Sequence, residues 1–137
     1  MNKNFISIGA ALMALAVIFG AMGAHALEAV LSADQLNSFK TGVRYQAWHA
    51  LALIVVQLIP TSVISTKTQR IVSILFITGI VCFSFSIYGL STRSATGAGS
   101  WISTLGPITP VGGILLIAAW LYLVVASVRP KSVKQTL

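Results

Sequence analysis

Four long apolar segments without a charged residue limit what this chain can fold into. They lie at 5–24, 47–64, 71–90 and 111–127 and contain 17 to 20 residues each. A helix needs about 20 such residues, within a range of about 17–25, to cross the roughly 30 Å hydrocarbon core of a bilayer. Only helices and closed barrels satisfy their backbone hydrogen bonds there. Because barrel strands alternate between apolar and polar residues, these continuous segments predict membrane-spanning helices.

The expected fold is therefore all-α: a bundle of four transmembrane helices in a single integral membrane domain, residues 1–137. Charged residues make up 8% of the chain, against about 25% in soluble domains. The spans are placed at about 5–24, 47–64, 71–90 and 107–127. The last begins at Pro107 because proline is tolerated in the first helical turn. We expect the first span to be retained in the membrane, since it is longer than the 7–15 apolar residues of a signal peptide.

The net charge of +7 is explained by membrane orientation, so no nucleic-acid partner is expected. Lys and Arg are retained on the cytoplasmic side of membranes. Three basic residues fall in the first and third loops, whereas six fall at the termini and in the second loop. The six are Lys3, Lys67, Arg70, Arg129, Lys131 and Lys134, and the three are Lys40, Arg44 and Arg93. This distribution predicts that both termini are cytoplasmic.

The first loop predicts a short interfacial helix between the first two spans. Ser32 and Gln35 have the spacing of a capping box, and Asp34 would lie in the first turn, where the helix dipole favours an anion. Leu36 and Phe39 then give an apolar face. We expect this helix to end near Gly42, before the second span begins.

Small residues indicate where helices pack closely. Such residues let transmembrane helices approach each other. The candidates are Ala16, Gly20 and Ala24 in the first span and Gly112 and Gly113 in the fourth. The expected partners are membrane lipids, together with a second copy of the chain or another membrane protein.

Polar residues gather where the first span ends and the second begins. The candidate polar site consists of His25, Glu28, Arg44, Tyr45, Gln46 and His49. Within the second span, Gln46, His49, Leu53 and Gln57 share one helical face, which is expected to point inward. Tyr88 of the third span approaches the same depth. Polar groups within spans usually face the bundle interior and are functional candidates.

Three interpretations of this cluster remain open. In the first, the cluster forms a hydrogen-bonded network that locks the first two helices. In the second, it lines a pocket for a lipid, quinone or other amphiphile. In the third, His25 and His49 ligate a haem or a metal ion. Two single histidines on different helices are weak evidence for ligation, so no cofactor is assigned. The chain has only two carboxylates, Glu28 and Asp34, and no paired acids or phosphate-binding loop, so nothing argues for an enzyme.

Three segments resemble a known family. These are Gly20–Leu27, Thr41–Leu51 and Gly106–Gly113, and they are similar to the small membrane proteins of domain-of-unknown-function family 423. The resemblance implies a four-span protein of the bacterial inner membrane without an established activity, so it supplies no catalytic residues. The expected function is that of a non-enzymatic structural or interaction subunit. The alternative is binding or transport of an amphiphile at the polar cluster.

Overall fold

The computed structural model describes residues 2–97 and 99–128, and these residues are almost entirely helical. The α-helices are α1 (Lys3–Ala24), α2 (Ala33–Leu58), α3 (Thr66–Ile80), α4 (Ser86–Thr96) and α5 (Ile108–Val128). A π-helical segment, Val81–Phe85, joins α3 to α4, and a 3-10 helix, Ser100–Leu105, precedes α5. No strand occurs in the described part of the chain, so the all-α class is confirmed. The basic residues Arg129, Lys131 and Lys134 lie outside the described residues.

Three helical stretches are long and apolar enough to cross a membrane. They are α1, the continuous rod formed by α3, the π segment and α4, and the 3-10 helix with α5. The second helix, α2, is not among them. Arg44, Gln46 and His49 interrupt its apolar sequence, which lowers its mean hydropathy. Composition and length thus support three spans directly.

The separate interfacial helix is not confirmed, because residues 33–58 form one uninterrupted helix. Its predicted start is confirmed. Gln35 N–H donates to Ser32 Oγ at 3.3 Å, and Ser32 N–H donates to Gln35 Oε1 at 3.0 Å. No break occurs at Gly42, which is buried in the helix. A Cβ there would lie 2.8 Å from the Tyr88 ring, so this glycine permits close packing.

Helix α2 ends at Leu58, six residues before the end of the predicted span 47–64. Ile59 leaves the helix with ψ 125°, as expected for a residue before proline, whose ring disfavours the α conformation at the preceding position. Pro60 then opens the turn to α3. The predicted span 71–90 lies within the longer rod from Thr66 to Thr96.

Successive helices pack against each other. Gly9 of α1 lies beside Ile54 of α2, and Gly23 lies beside Phe39, so α1 and α2 are antiparallel. Helix α2 packs on α3 and α4, whereas α5 packs on α3 and the π segment. A buried apolar cluster joins α2, α3 and α5. It consists of Ala52, Val56, Ile64, Val72, Phe76, Ile80, Leu116 and Ala119.

Candidate functional site

The six residues of the predicted polar site are divided between the surface and the interior. His25 follows α1 as its C-cap, where its backbone N–H donates to Met22 O at 3.4 Å. Its side chain is exposed, as are those of Glu28 and Arg44. Tyr45 is half-buried, whereas Gln46 and His49 are buried. The structure thus leaves only Tyr45, Gln46 and His49 within the bundle.

Gln46 connects three helices through its side-chain amide. Nε2 donates to Leu12 O of α1 at 2.7 Å, and Oε1 accepts from the Tyr88 hydroxyl of α4 at 2.8 Å. The Gln46 side chain is fully buried. A buried amide satisfied in this way fixes the relative positions of the helices, because its displacement would leave polar groups unpaired in an apolar interior.

His49 lies one helical turn after Tyr45 in an aromatic environment. Its Nδ1 lies 2.7 Å from Tyr45 O. Since a carbonyl only accepts, Nδ1 carries the hydrogen in this contact. The rings of Phe76 and Trp120 have centroids 5.6 and 6.1 Å from that of His49. His49 therefore packs at the junction of α2, α3 and α5.

The structure does not bring His25 and His49 together. Gly23 lies level with Phe39, since a Cβ on Gly23 would be 3.2 Å from the Phe39 ring. His49 follows Phe39 by about ten residues, or about 15 Å of helix. One metal ion or haem iron cannot bridge that distance. The described residues contain no group of three or more potential metal-ligating side chains among His, Cys, Asp and Glu.

The inward face predicted for the second span is confirmed. The exposed fractions are 0% for Gln46, 6% for His49, 0% for Leu53 and 3% for Gln57. Gln57 Nε2 donates to Ser73 Oγ of α3 at 2.7 Å, which forms a second polar contact near the other end of α2. Leu53, Phe76 and Ile80 lie between the two polar layers and are fully buried. Buried apolar side chains therefore separate these two polar contacts along the inward face of α2.

The π segment, Val81–Phe85, is in close contact with α5. A Cβ on Gly112 would lie 2.7 Å from the carbonyl carbon of Cys82 and would overlap the Phe83 backbone, whereas one on Gly113 would clear the Phe83 ring by 3.7 Å. Ser84, within this segment, is fully buried, and its Oγ lacks a hydrogen-bond partner among the described residues. No local sequence signal pointed to the extra residue of the π turn.

The small residues of α1 form an inner and an outer face. Gly9, Ala16 and Gly23 are buried against α2. Of the predicted packing residues, Ala16 belongs to this inner face, Gly20 is half-buried and Ala24 is exposed. Ala10, Ala14 and Ala21 lie on the outer face and are exposed. The face predicted to meet a partner is thus partly used within the chain.

The fold and these interior contacts define a small helical membrane protein with a hydrogen-bonded interior. The chain belongs to the family described as "Protein of unknown function (DUF423)", whose pattern matches residues 19–113. It is 40% identical over 127 residues to the UPF0382 membrane protein YwdK of Bacillus subtilis, covering 93% of this chain and 98% of that protein.

Other relatives carry the same description. A UPF0382 membrane protein of Staphylococcus haemolyticus is 38% identical over 131 residues, which cover 93% of this chain and 97% of the relative. One from Haemophilus influenzae is 31% identical over 132 residues, which cover 96% and 99%. No solved structure matches the chain significantly. The relatives' names describe a membrane location and no activity.

Proposed function

We propose that this protein is a non-enzymatic, four-span subunit of the bacterial inner membrane that acts through contacts with another membrane helix. In this proposal α2 is the fourth span. Its 26 residues extend about 39 Å, which exceeds the roughly 30 Å hydrocarbon core. Its polar residues Gln46 and Gln57 face inward. Leu51, Val55 and Leu58 face outward, with exposed fractions of 53%, 49% and 61%.

The orientation follows from the distribution of basic residues. Lys3, Lys67 and Arg70 lie at one end of the helices, whereas Lys40, Arg44 and Arg93 belong to the opposite end. In the sequence, Arg129, Lys131 and Lys134 follow α5, so that six of the nine basic residues belong to the termini and the second loop. Because basic residues are retained in the cytoplasm, we place both termini there.

The single observation that carries the subunit role is the closed hydrogen bonding of Gln46. Its amide, which the sequence offered as part of a ligand site, is bonded to α1 and α4. Hydrogen bonds between transmembrane helices contribute about 0.6 kcal/mol on average. Polar groups used in this way hold the fold together. The apolar layer at Leu53, Phe76 and Ile80 likewise argues against transport through the interior.

We place the partner contact on the outer face of α1. Ala10, Ala14 and Ala21 are exposed there, and their small side chains would let a second helix approach closely. This keeps the predicted role of the first helix but moves the contact away from Ala16, which packs on α2. The partner is a second copy of the chain or another membrane protein.

The test is the size of the complex in gently solubilised native membranes. Ala14→Leu and Ala21→Leu, combined in one protein, should convert a larger assembly into the single chain, because the added volume separates the helices. Ser127→Leu, at an exposed position on α5, is the matched control and should leave the assembly intact. Wild-type protein that migrates as a single chain, or a double variant that assembles normally, would contradict the proposal.

A further inference from the structure

A groove between α1 and α2 combines two cations with open space. It has a volume of about 350 Å³ and is lined by Gly20, Asn37, Lys40, Val43 and Arg44. Asn37, Lys40 and Arg44 share one face of α2, because residues three and four apart are neighbours on a helix. Gly20 faces them from α1, and a Cβ there would lie 3.6 Å from Val43 Cγ1. The absence of a side chain at Gly20 keeps the groove open.

The positive charge of this groove is not neutralised within the described part of the chain. The Lys40 ammonium has no partner there. Arg44 Nη2 donates only to Thr41 Oγ1, at 3.1 Å. Like charges four residues apart on a helix repel each other, so an anion bound between them would remove that repulsion. Arg44 lines the groove, and its other guanidinium nitrogens have no partner among the described residues.

An apolar ridge continues from the cations along the same face of α2. Ala47, Leu51, Val55 and Leu58 follow Arg44 at intervals of three or four residues. The last three are about half exposed or more. Val17 of α1, one turn before Gly20, is likewise exposed, at 67%. The outer faces of α5 carry no comparable charge, since none of its described residues is ionisable except Tyr122.

The depth of the groove matches the boundary between hydrocarbon and headgroups. Gly20 lies one turn before the end of α1 at Ala24. The cations therefore lie near a membrane surface and the ridge within the hydrocarbon. This step rests on the proposed arrangement in which α2 spans the bilayer. A ligand that fits both parts has an anion at one end and an apolar chain at the other.

We propose that this groove binds one anionic phospholipid, with its phosphate between Lys40 and Arg44 and an acyl chain along the Leu51–Val55 ridge. Arg and Lys form charge-assisted hydrogen bonds to phosphate oxygens, and the Asn37 amide supplies a further donor. A zwitterionic lipid presents the same phosphate together with a cation, which the two basic residues repel. The site therefore selects lipids by net headgroup charge.

The test is native mass spectrometry of the full chain in detergent with phosphatidylglycerol and phosphatidylcholine of identical acyl chains. A basic residue near an anionic surface contributes about 1 kcal/mol, so two residues predict a preference for phosphatidylglycerol of at least about tenfold. Lys40→Ala with Arg44→Ala should abolish the preference. Gly20→Leu keeps both charges but fills the groove, and it should also reduce retention of this lipid by about tenfold.

Lys67→Ala with Arg70→Ala is the matched control, since it removes two exposed basic residues from the opposite end. This variant should keep the preference. Equal losses in the two double variants would indicate general charge attraction and overturn the proposal. So would an undiminished preference in Lys40→Ala with Arg44→Ala. If Gly20→Leu does not fold, Asn37→Leu at an exposed position lining the same groove replaces it, with the same predicted loss.

Competition separates a lipid site from a site for soluble phosphate. Inorganic phosphate and glycerol phosphate, added in excess over the lipid, should leave most phosphatidylglycerol bound, because neither contacts the ridge. Complete displacement by either would overturn the lipid assignment. The lipid site is tested by lipid retention in detergent. The proposed helix contact is tested separately, by the size of the complex from native membranes, so a negative result in one experiment does not decide the other.

Discussion

The Tyr88 hydroxyl donates a hydrogen bond to Gln46 Oε1 over 2.8 Å between α4 and α2. The same Gln46 amide donates to α1 through Leu12 O, so one side chain links three helices. Tyr88 is 8% exposed and packs against Phe19 and Phe39, with ring centroids 4.9 and 4.8 Å away. The hydrogen bond thus lies within an aromatic cluster that joins the same three helices.

The Gln46–Tyr88 bond predicts a measurable coupling between the two residues. Gln46→Leu should lower the free energy of unfolding by about 1–3 kcal/mol, because the Tyr88 hydroxyl loses its partner in a buried site. Tyr88→Phe should cost less, and combining it with Gln46→Leu should restore part of the loss. Unfolding by denaturing detergent gives the free energy of unfolding of the wild type, the two single variants and the double variant, which together form the double-mutant cycle. Strictly additive effects would contradict the coupling.

The two histidines should respond differently to the same substitution. His49→Ala removes a buried ring packed on Phe76 and Trp120 and should destabilise the protein by about 2–4 kcal/mol, as large-to-small changes in cores do. His25→Ala should have almost no effect, since its side chain is exposed. Thermal unfolding of both variants, with their absorption spectra, makes the comparison. A chromophore lost equally from both would instead support joint ligation.

Adjacent glycines in α5 form a second matched pair. Gly112→Ala should lower the melting temperature, because the added methyl overlaps the Cys82 and Phe83 backbone, and overpacking of this kind costs about 1–3 kcal/mol. Gly113→Ala should be neutral or slightly stabilising, since its methyl meets only ordinary contacts and alanine favours helix formation. The opposite order of stabilities would show that α5 does not pack on the π segment as described.

Several features of this structure could be predicted from local sequence. The capping box at Ser32 and Gln35 is a short-range pattern, and it fixed the start of α2 correctly. The spacing of Gln46, His49, Leu53 and Gln57 placed all four on the inward face, because helical periodicity depends on sequence alone. Proline at position 60 could also have given the end of α2, through its effect on Ile59.

Other features depend on contacts that sequence does not encode locally. Gly42 was expected to end the interfacial helix. Instead it lies within α2, where the absence of a side chain lets Tyr88 pack closely against the helix. The separation of His25 from His49 depends on the relative height of α1 and α2, which is set by contacts such as Gly23 with Phe39. The π segment packs against Gly112, a residue far away along the chain, so local sequence carries no signal for that contact.

If α2 crosses the bilayer, its two flanking loops lie on opposite sides of the membrane, and their positions test the four-span arrangement most directly. Single cysteines would replace exposed Ala29, before α2, and exposed Ser62, after it, in a Cys82→Ser background. A membrane-impermeant thiol reagent applied to intact spheroplasts should label position 29, while position 62 should react only after lysis. Labelling of both positions, or protection of both, in intact spheroplasts would place the loops on one side and contradict the four-span account.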